Sequence, residues 1–333
     1  MSERVSVILV NWNGRAHLER CLSSLRRQTY GNYEIVLVDN ASQDGSAAFV
    51  RERFPEVRVL QSGANIGFPA ANNLGIAATS GDYVATLNVD TEVEPGWLAA
   101  LVAGMSATPR VGMCASKMLF FHAPVQINST GIAVDRAGVA WDRDGGRRDD
   151  EAGQEAGEVF GPCAGAALYR REMLAEIGGW DGDFFYLYED VDLAWRARLA
   201  GWNAWYCPDA RVYHVHAGAG TEGSPFKHYL LARNRIWTII KNYPWPQVAQ
   251  YAPAILLYDL SAIIYRLWHD HDIAALRGRL AGYASLPRLW PRRREIQRQR
   301  VVEWAELARH LAPLPTPRAV WGRYAHLSRK RAT

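Results

Sequence analysis

Four short runs of apolar, largely β-branched residues recur near the start of the chain, and each stops at a polar residue. They are Val5–Val10, Glu34–Val38, Val57–Leu60 and Tyr83–Leu87. Between them, Leu18, Cys21, Leu22 and Leu25 repeat at helical spacing, Ala47–Arg53 can make a short helix, and the stretch from Asn65 to Gly75 opens another. Strands that alternate with helices leave few options. The strands lie parallel in one sheet and the helices cross over its faces with right-handed connections. Ligands of such sheets bind where the strands end, so the residues at those ends carry the functional information.

The fourth run ends in Asn88-Val89-Asp90. A carboxylate with an amide two residues before it suits a hard divalent cation and the diphosphate it neutralises, or an ordinary turn. Asp39 ends the second run. As an acceptor-only group it can read the N3–H of uracil or thymine, or it can cap the following helix. The first strand leads into Asn11-Trp12-Asn13-Gly14, and neither GxGxxG nor GxxxxGK[ST] occurs. Farther on, Gly161–Arg171 is rich in small residues, which fit either close approach to a ligand or tight strand packing. The charged stretch Asp142–Glu151 reads as a solvated, mobile loop. The aromatic run Phe184-Phe185-Tyr186-Leu187-Tyr188 then leads into Glu189, Asp190 and Asp192 at the start of a helix. Acids there gain roughly 0.3–1 kcal/mol each from the helix dipole. Apolar rings beside a carboxylate also raise its pKa, as a general base requires. His214 and His216 share one face of a strand, as metal ligands or as structural histidines.

A chain of 333 residues can bury a substantial core. Cys21, Cys114, Cys163 and Cys207 lack CxxC spacing, so they read as buried thiols in a reducing compartment. Met1-Ser2-Glu3-Arg4 runs straight into a strand, so no secretion signal is expected. The net charge of +4 hides an asymmetry. Residues 226–333 hold 19 Lys and Arg against 6 Asp and Glu, whereas residues 1–225 hold 19 against 28. A basic tail on an acidic body faces either nucleic acid or an anionic membrane. Nothing resembles an RNA-binding or zinc-finger pattern, and the acidic body argues against nucleic acid. Residues 251–268 are apolar enough to span a bilayer but carry Asp259 at their middle, a cost of roughly 2.5–3.5 kcal/mol. Leu256, Leu260, Ile263, Ile264 and Leu267 fall on one face, with Asp259, Ala262 and Arg266 on another. That pattern either lies on a membrane or packs on the body. Arg292, Arg293, Arg294, Arg298 and Arg300, amid Trp290 and Trp304, read as an interfacial cluster. Pro313, Pro315 and Pro317 mark an extended link.

Taken in order, these motifs resemble the family 2 glycosyltransferases, nearest their rhamnosyltransferase-like branch. The markers are Asn11-Trp12-Asn13, Asp39-Asn40-Ala41-Ser42-Gln43-Asp44-Gly45-Ser46, Asn65-Ile66-Gly67-Phe68, Asn88-Val89-Asp90-Thr91, Tyr188-Glu189-Asp190-Val191-Asp192 and His214, and the likeness covers about Ser6 to Lys241. The resemblance implies the GT-A fold, an α/β arrangement with a Rossmann-like, mostly parallel central sheet flanked by helices, here with a helical C-terminal extension. It implies a catalytic domain over 1–225, its nucleotide-binding half at 1–110 and acceptor half at 111–225, followed by a basic, mainly helical region at 226–333. Asn11, Asp39, Asp44, Asn65, Asn72 and Asn88 would bind the nucleotide. Asn72 stands where many relatives carry a phosphate-contacting arginine, and Asn88 stands at the first acid of DxD. Asp90, with His214 or alternatively His216, would hold Mg²⁺ or Mn²⁺. Asp190 would be the catalytic base, and Glu189 and Asp192 would orient the acceptor or the base. The implied donor is a dTDP- or UDP-sugar and the acceptor a glycan or lipid-linked saccharide. The setting is cytoplasmic, on the inner face of the membrane, and no nucleic acid is expected. A non-catalytic carbohydrate- or nucleic-acid-binding protein is the alternative, and retention of Asp39, Asp90 and Asp190 together favours the enzyme.

Overall fold

The computed structural model describes residues 3–216 and 224–314. The expected alternation is present in β1 (Val5–Asn11), α1 (Arg15–Arg26), β2 (Tyr33–Asp39), α2 (Ser46–Arg53), β3 (Arg58–Gln61), α3 (Phe68–Ala77) and β4 (Tyr83–Asn88). Strands β3, β2, β1 and β4 lie side by side and parallel. Along β1, Val5, Val7 and Leu9 enter one core with Leu18, Leu22 and Leu25, while Ile8 enters the other with Val36 and Val84. A strand apolar on both faces is what a sheet covered on both sides requires. Val57 precedes β3 and packs under Phe54.

The chain continues through β5 (Thr91–Val93), α4 (Trp97–Gly104), β6 (Val111–Phe120), β7 (Ala123–Ser129), β8 (Ile132–Val134), β9 (Ala140–Asp142), β10 (Gly157–Val159), β11 (Ala166–Arg170), α5 (Arg171–Ile177), α6 (Glu189–Leu199) and β12 (Asn203–His214). The sheet order is β10-β12-β6-β11-β4-β1-β2-β3, with β5 paired to β12 and β7 to β6. Strand β11 runs antiparallel to β4 and β6, and β12 runs parallel to β6, so most strands share one direction. The register pairs Asn11 with Asp39 and Val10 with Asn88. The polar ends of β1, β2 and β4 are therefore level at one sheet edge.

The stretch Asp142–Glu151 is not the mobile loop its charges imply. Asp149 bonds the fully buried Lys117 at 2.7 Å and Arg211 at 2.9 Å, and Thr130 donates to Asp144 at 2.8 Å. Asp149 and Asp144 are held by the sheet beneath, while Arg148 pairs with Asp150 and Glu151 at the surface.

Helices α7 (Pro225–Asn242), α8 (Trp245–His269), α9 (Ala274–Ala284) and α10 (Leu286–Gln299) follow. Ile236, Trp237, Tyr243, Ile255, Leu289 and Ile296 share one core with Trp180, Trp195 and Tyr206, so the two sides of residue 225 are packed together. Two residues assigned above to an interfacial cluster belong to this packing instead. Trp304 stacks on Trp195 at 6.4 Å, and Arg293 is buried, donating to the Ile240 and Tyr243 carbonyls at the end of α7. Pro315 and Pro317 lie outside the described residues.

Candidate active site

A cavity of about 540 Å³ opens at the carboxyl edge of the sheet. Asn65, Asn88, Val89 and Asp90 line it, as do Trp12, Asn13, Gly14 and His17 after β1, Asn40 after β2, and Phe68, Phe185, Tyr186 and Phe226. Asn11 and Asp39 are buried and do not themselves line the cavity; Asn11 lies between the lining residues Val10 and Trp12, and Asp39 precedes the lining Asn40. Asn11 Nδ2 donates to Ser42 Oγ at 3.0 Å and lies 3.4 Å from Asp39 Oδ1. Asn65 Oδ1 accepts from Asn40 Nδ2 at 2.9 Å and from the Gly67 amide at 3.1 Å, so Asn65 shapes the wall it lines.

Two expected nucleotide ligands are engaged elsewhere. Asp44 accepts from the Arg15 amide at 2.8 Å and from the Ser46 amide at 3.1 Å, capping α1 and α2. Asn72 is fully buried within α3 and donates back to the Phe68 carbonyl at 2.9 Å. Neither lines the cavity.

The cation site expected at Asp90 and His214 is assembled by the pairing of β5 with β12, which sets Thr91 opposite His214. His214 is buried, and its Nδ1 lies 2.8 Å from Asn128 Oδ1. An amide oxygen only accepts, so Nδ1 carries the proton and Nε2 presents its lone pair. Nε2 makes no hydrogen bond and faces Asp90 Oδ1 at 3.3 Å. A lone pair against a carboxylate oxygen is unfavourable unless a metal cation or a second proton lies between them. Bonds of about 2.1 Å to each would place the two as neighbouring ligands. Among the described residues no third acid, His or Cys completes a cluster. One or two carboxylates plus substrate phosphates is a usual arrangement for Mg²⁺, and Asp90 supplies one carboxylate here. His216 lies past the end of β12 in left-handed backbone (φ 59°), with its ring 5.3 Å from His214.

The third element is the start of α6. Asp190 Oδ2 accepts from the Ala164 amide at 3.3 Å and Oδ1 from the Val191 amide at 2.8 Å. Ala164 precedes Gly165, whose carbonyl accepts from the Asn88 amide and where a side chain would meet Asn88 Nδ2. The small residues of the Gly161–Arg171 stretch thus bring α6 up to the cavity floor. Burial, opposed by these backbone bonds and helped by Asp142, raises the Asp190 carboxyl to about 6. Glu189 is more deeply buried, and burial and the charge of Asp190 hold its carboxyl well above the usual range. Of the two, Glu189 holds its proton more tightly and Asp190 is the member that ionises first. Asp192 is completely buried against Arg196 (2.8 Å), Lys241 (2.9 Å) and Asn242 (3.0 Å). It positions the helix that bears Asp190 and touches no open surface.

The loop between α5 and α6 is strained. Phe185, Leu187 and Tyr188 all have φ near +65 to +68°, at about 1–3 kcal/mol each. Asn234 Nδ2 holds it by donating to the carbonyls of Phe184, Tyr186 and Leu187 at 3.1, 2.9 and 2.7 Å. From the other side the Phe68 amide donates to the Phe185 carbonyl at 2.8 Å. Gly67 (φ +81°) makes that approach possible, since a Cβ there would lie 2.5 Å from the Phe185 oxygen. Gly67→Ala should therefore cost about 1–3 kcal/mol in chemical denaturation; a change below about 0.5 kcal/mol would contradict this packing. The sequence signals for the aromatic wall were Trp12 inside the Asn-rich turn and the Phe-Phe-Tyr run. Asn234 and Phe226 gave none, because their partners are distant in sequence.

The model of "Glycosyl transferase family 2" matches residues 6–178. An N-acetylglucosaminyl-diphospho-decaprenol L-rhamnosyltransferase of Mycobacterium tuberculosis is 30% identical over 249 residues, which is 68% of this chain and 81% of that protein. The O-antigen biosynthesis protein RfbC of Myxococcus xanthus is 28% identical over 81% of this chain and 22% of its own length. Among solved structures, GalNAc-T7 with UDP, GalNAc and Mn²⁺ superposes with a TM-score of 0.62 at 20% identity, covering 78% of this chain and 51% of that one. The mannosyltransferase PcManGT from Pyrobaculum calidifontis, with GDP-Man and Mn²⁺, gives 0.55 at 20% identity over 90% and 84%. At such identities the structural likeness carries the fold.

Proposed function

Because the chain is a member of glycosyl transferase family 2 with the GT-A fold, we propose that it is an inverting enzyme that moves a sugar, L-rhamnose from dTDP-rhamnose or the sugar of a UDP donor, onto a hydroxyl of a lipid-linked saccharide. The single supporting observation is that Asp90, 3.3 Å from His214, lines the cavity, while Asp190, its carboxyl raised to about 6, is hydrogen-bonded to Ala164 next to the Gly165 whose carbonyl accepts from the cavity's Asn88. The M. tuberculosis relative, named for rhamnosyl transfer to a sugar on a polyprenyl diphosphate, points to the donor and the acceptor class.

Asp39 and Asn11 sit under the nucleobase end of the cleft, where Asp39 accepts from the pyrimidine N3–H. Asn88 meets the donor beside the diphosphate. Asp90 and His214 would hold Mg²⁺ or Mn²⁺, which would supply positive charge against the leaving diphosphate. Asp190 takes the proton of the acceptor hydroxyl. The freed oxygen bonds to the anomeric carbon as the bond to the nucleoside diphosphate breaks on the opposite face, which inverts the configuration. Phe185, Tyr186 and Phe226 wall off water beside the sugar.

Thermal shifts against UDP, dTDP and GDP with each cation, followed by release of nucleotide from the matching sugar donor, test this reading. No shift with any of the three would overturn it. Asp90→Ala should weaken metal-dependent nucleotide binding by more than about tenfold, measured by calorimetry. Unchanged metal dependence would remove Asp90 from the cation site.

A further inference from the structure

Helix α8 is amphipathic the wrong way round for a helix packed on a soluble body. Its one central acid points inward. Asp259 is 4% exposed, and its Oδ1 accepts from Arg235 at 2.6 Å and from Arg279 at 2.7 Å. Tyr251, Ile255 and Ala262 share that inner side. The opposite side carries Leu256, Leu257, Leu260, Ile264, Leu267 and Trp268, at i, i+1, i+4, i+8, i+11 and i+12. Leu257, Leu260 and Ile264 are 57–61% exposed and Trp268 82%.

The next helices repeat the arrangement. On α9, Gly278 and Gly282 press on α7, where a side chain at either would meet Tyr229 or Ile236, while Leu280 faces outward and the part-exposed Tyr283 reaches toward Asp259. Leu286 and Trp290 continue the apolar surface on α10, beside exposed Arg288, Arg292 and Arg294. Eleven large apolar residues exposed between positions 256 and 290 are far more than scattered surface leucines explain. Among the described residues α8 is the one helix long and apolar enough to cross a bilayer. Spanning would tear Asp259 from two buried arginines, and losing a buried partner is strongly unfavourable. The helix therefore keeps its polar face on the body, and its apolar face needs a cover.

We propose that this α8–α10 face docks on an anionic lipid bilayer, with the leucines and Trp268 in the acyl boundary and the arginines at the headgroups. The charge supports a bilayer over a protein partner. Residues 226–333 carry a net +13, and arginine next to exposed Trp and Leu is the composition of an interfacial layer. Helix α7, on which α9 packs, begins at the cavity through Phe226. Docking would thus set the cleft beside the membrane that a lipid-linked acceptor occupies. The inference deepens the transfer reading by naming how such an acceptor is reached, but it rests on the helical layer alone.

The test is flotation of the full chain with vesicles of phosphatidylcholine and phosphatidylglycerol in equal parts, against pure phosphatidylcholine. The chain should float with the anionic vesicles, less so at high salt. Leu257→Glu with Leu260→Glu should lower vesicle affinity by at least about tenfold, while nucleotide binding and the melting temperature hold. Wild-type chain that stays at the bottom with both vesicles overturns the proposal. So does a dimer that the same substitutions make monomeric, which would identify a second copy as the cover. Flotation without any nucleotide binding would refute the transfer reading and leave the docking face intact.

Discussion

Asp190→Asn should lower kcat by about 10²–10⁴-fold, the usual contribution of a general base, and leave nucleotide affinity within about twofold. The amide keeps the shape but cannot take a proton, and its single carbonyl oxygen can accept from only one of the Ala164 and Val191 amides. The wild-type rate should fall with unit slope as pH drops below about 6, where burial places this carboxyl. A limb near 4 would mean that the working base is an ordinary, solvated carboxylate. Stability runs in the opposite sense. The folded state raises the Asp190 pKa from 3.8 to about 6, so the group's contribution is complete below about pH 3.8 and is lost as pH rises through 6. At pH 7 the charged carboxylate burdens the fold, so removing the charge should offset the one backbone bond the Asn variant loses and leave its melting temperature close to the wild-type value. A variant both inactive and less stable would indicate a structural role. Glu189→Gln supplies the contrast. Burial and the neighbouring Asp190 charge push its carboxyl up, away from the role of the ionised base, so it should retain far more activity.

The nucleotide-binding half was legible from sequence because local pattern and tertiary role coincide there. In β1, β2 and β4 the apolar runs are buried on both faces, and Asn11, Asp39, Asn88 and Asp90 stand where the runs stop. Strand β6 was not legible. Its run Val111–Phe120 contains Ser116 and Lys117, which read as a surface until Asp149, 32 residues on, buries the ammonium. Asp44 and Asn72 have the residue types and the motif position of ligands, but their side chains satisfy backbone groups of their own turns and helices. Sequence carries no information about which way a polar side chain turns. The periodicity of residues 251–268 was legible, yet not which face would be buried. Arg235 and Arg279 settle that from other helices.

Lys241 is where the start of α6 is anchored, and its replacement should be the most destabilising single change outside the cavity. The ammonium is fully buried between Asp181 Oδ2 at 2.5 Å and Asp192 Oδ1 at 2.9 Å, with the Phe184 ring 4.6 Å away. Methionine would match its length but leave two buried carboxylates short of a partner, at about 3–5 kcal/mol. For Asp192, burial raises the pKa, but Lys241 and Arg196 more than reverse this and hold it at about 2. A depressed pKa stabilises the fold above about pH 4, and the gain is lost as pH falls toward 2. Lys241→Met should unfold at lower urea and flatten that acid limb. Adding Asp192→Asn should recover part of the loss, because one stranded charge disappears with it. Strict additivity of the two substitutions would show that the pair is uncoupled. Donor turnover per folded molecule should fall as well, since the same contacts fix the first turn of α6, from which Asp190 is aimed.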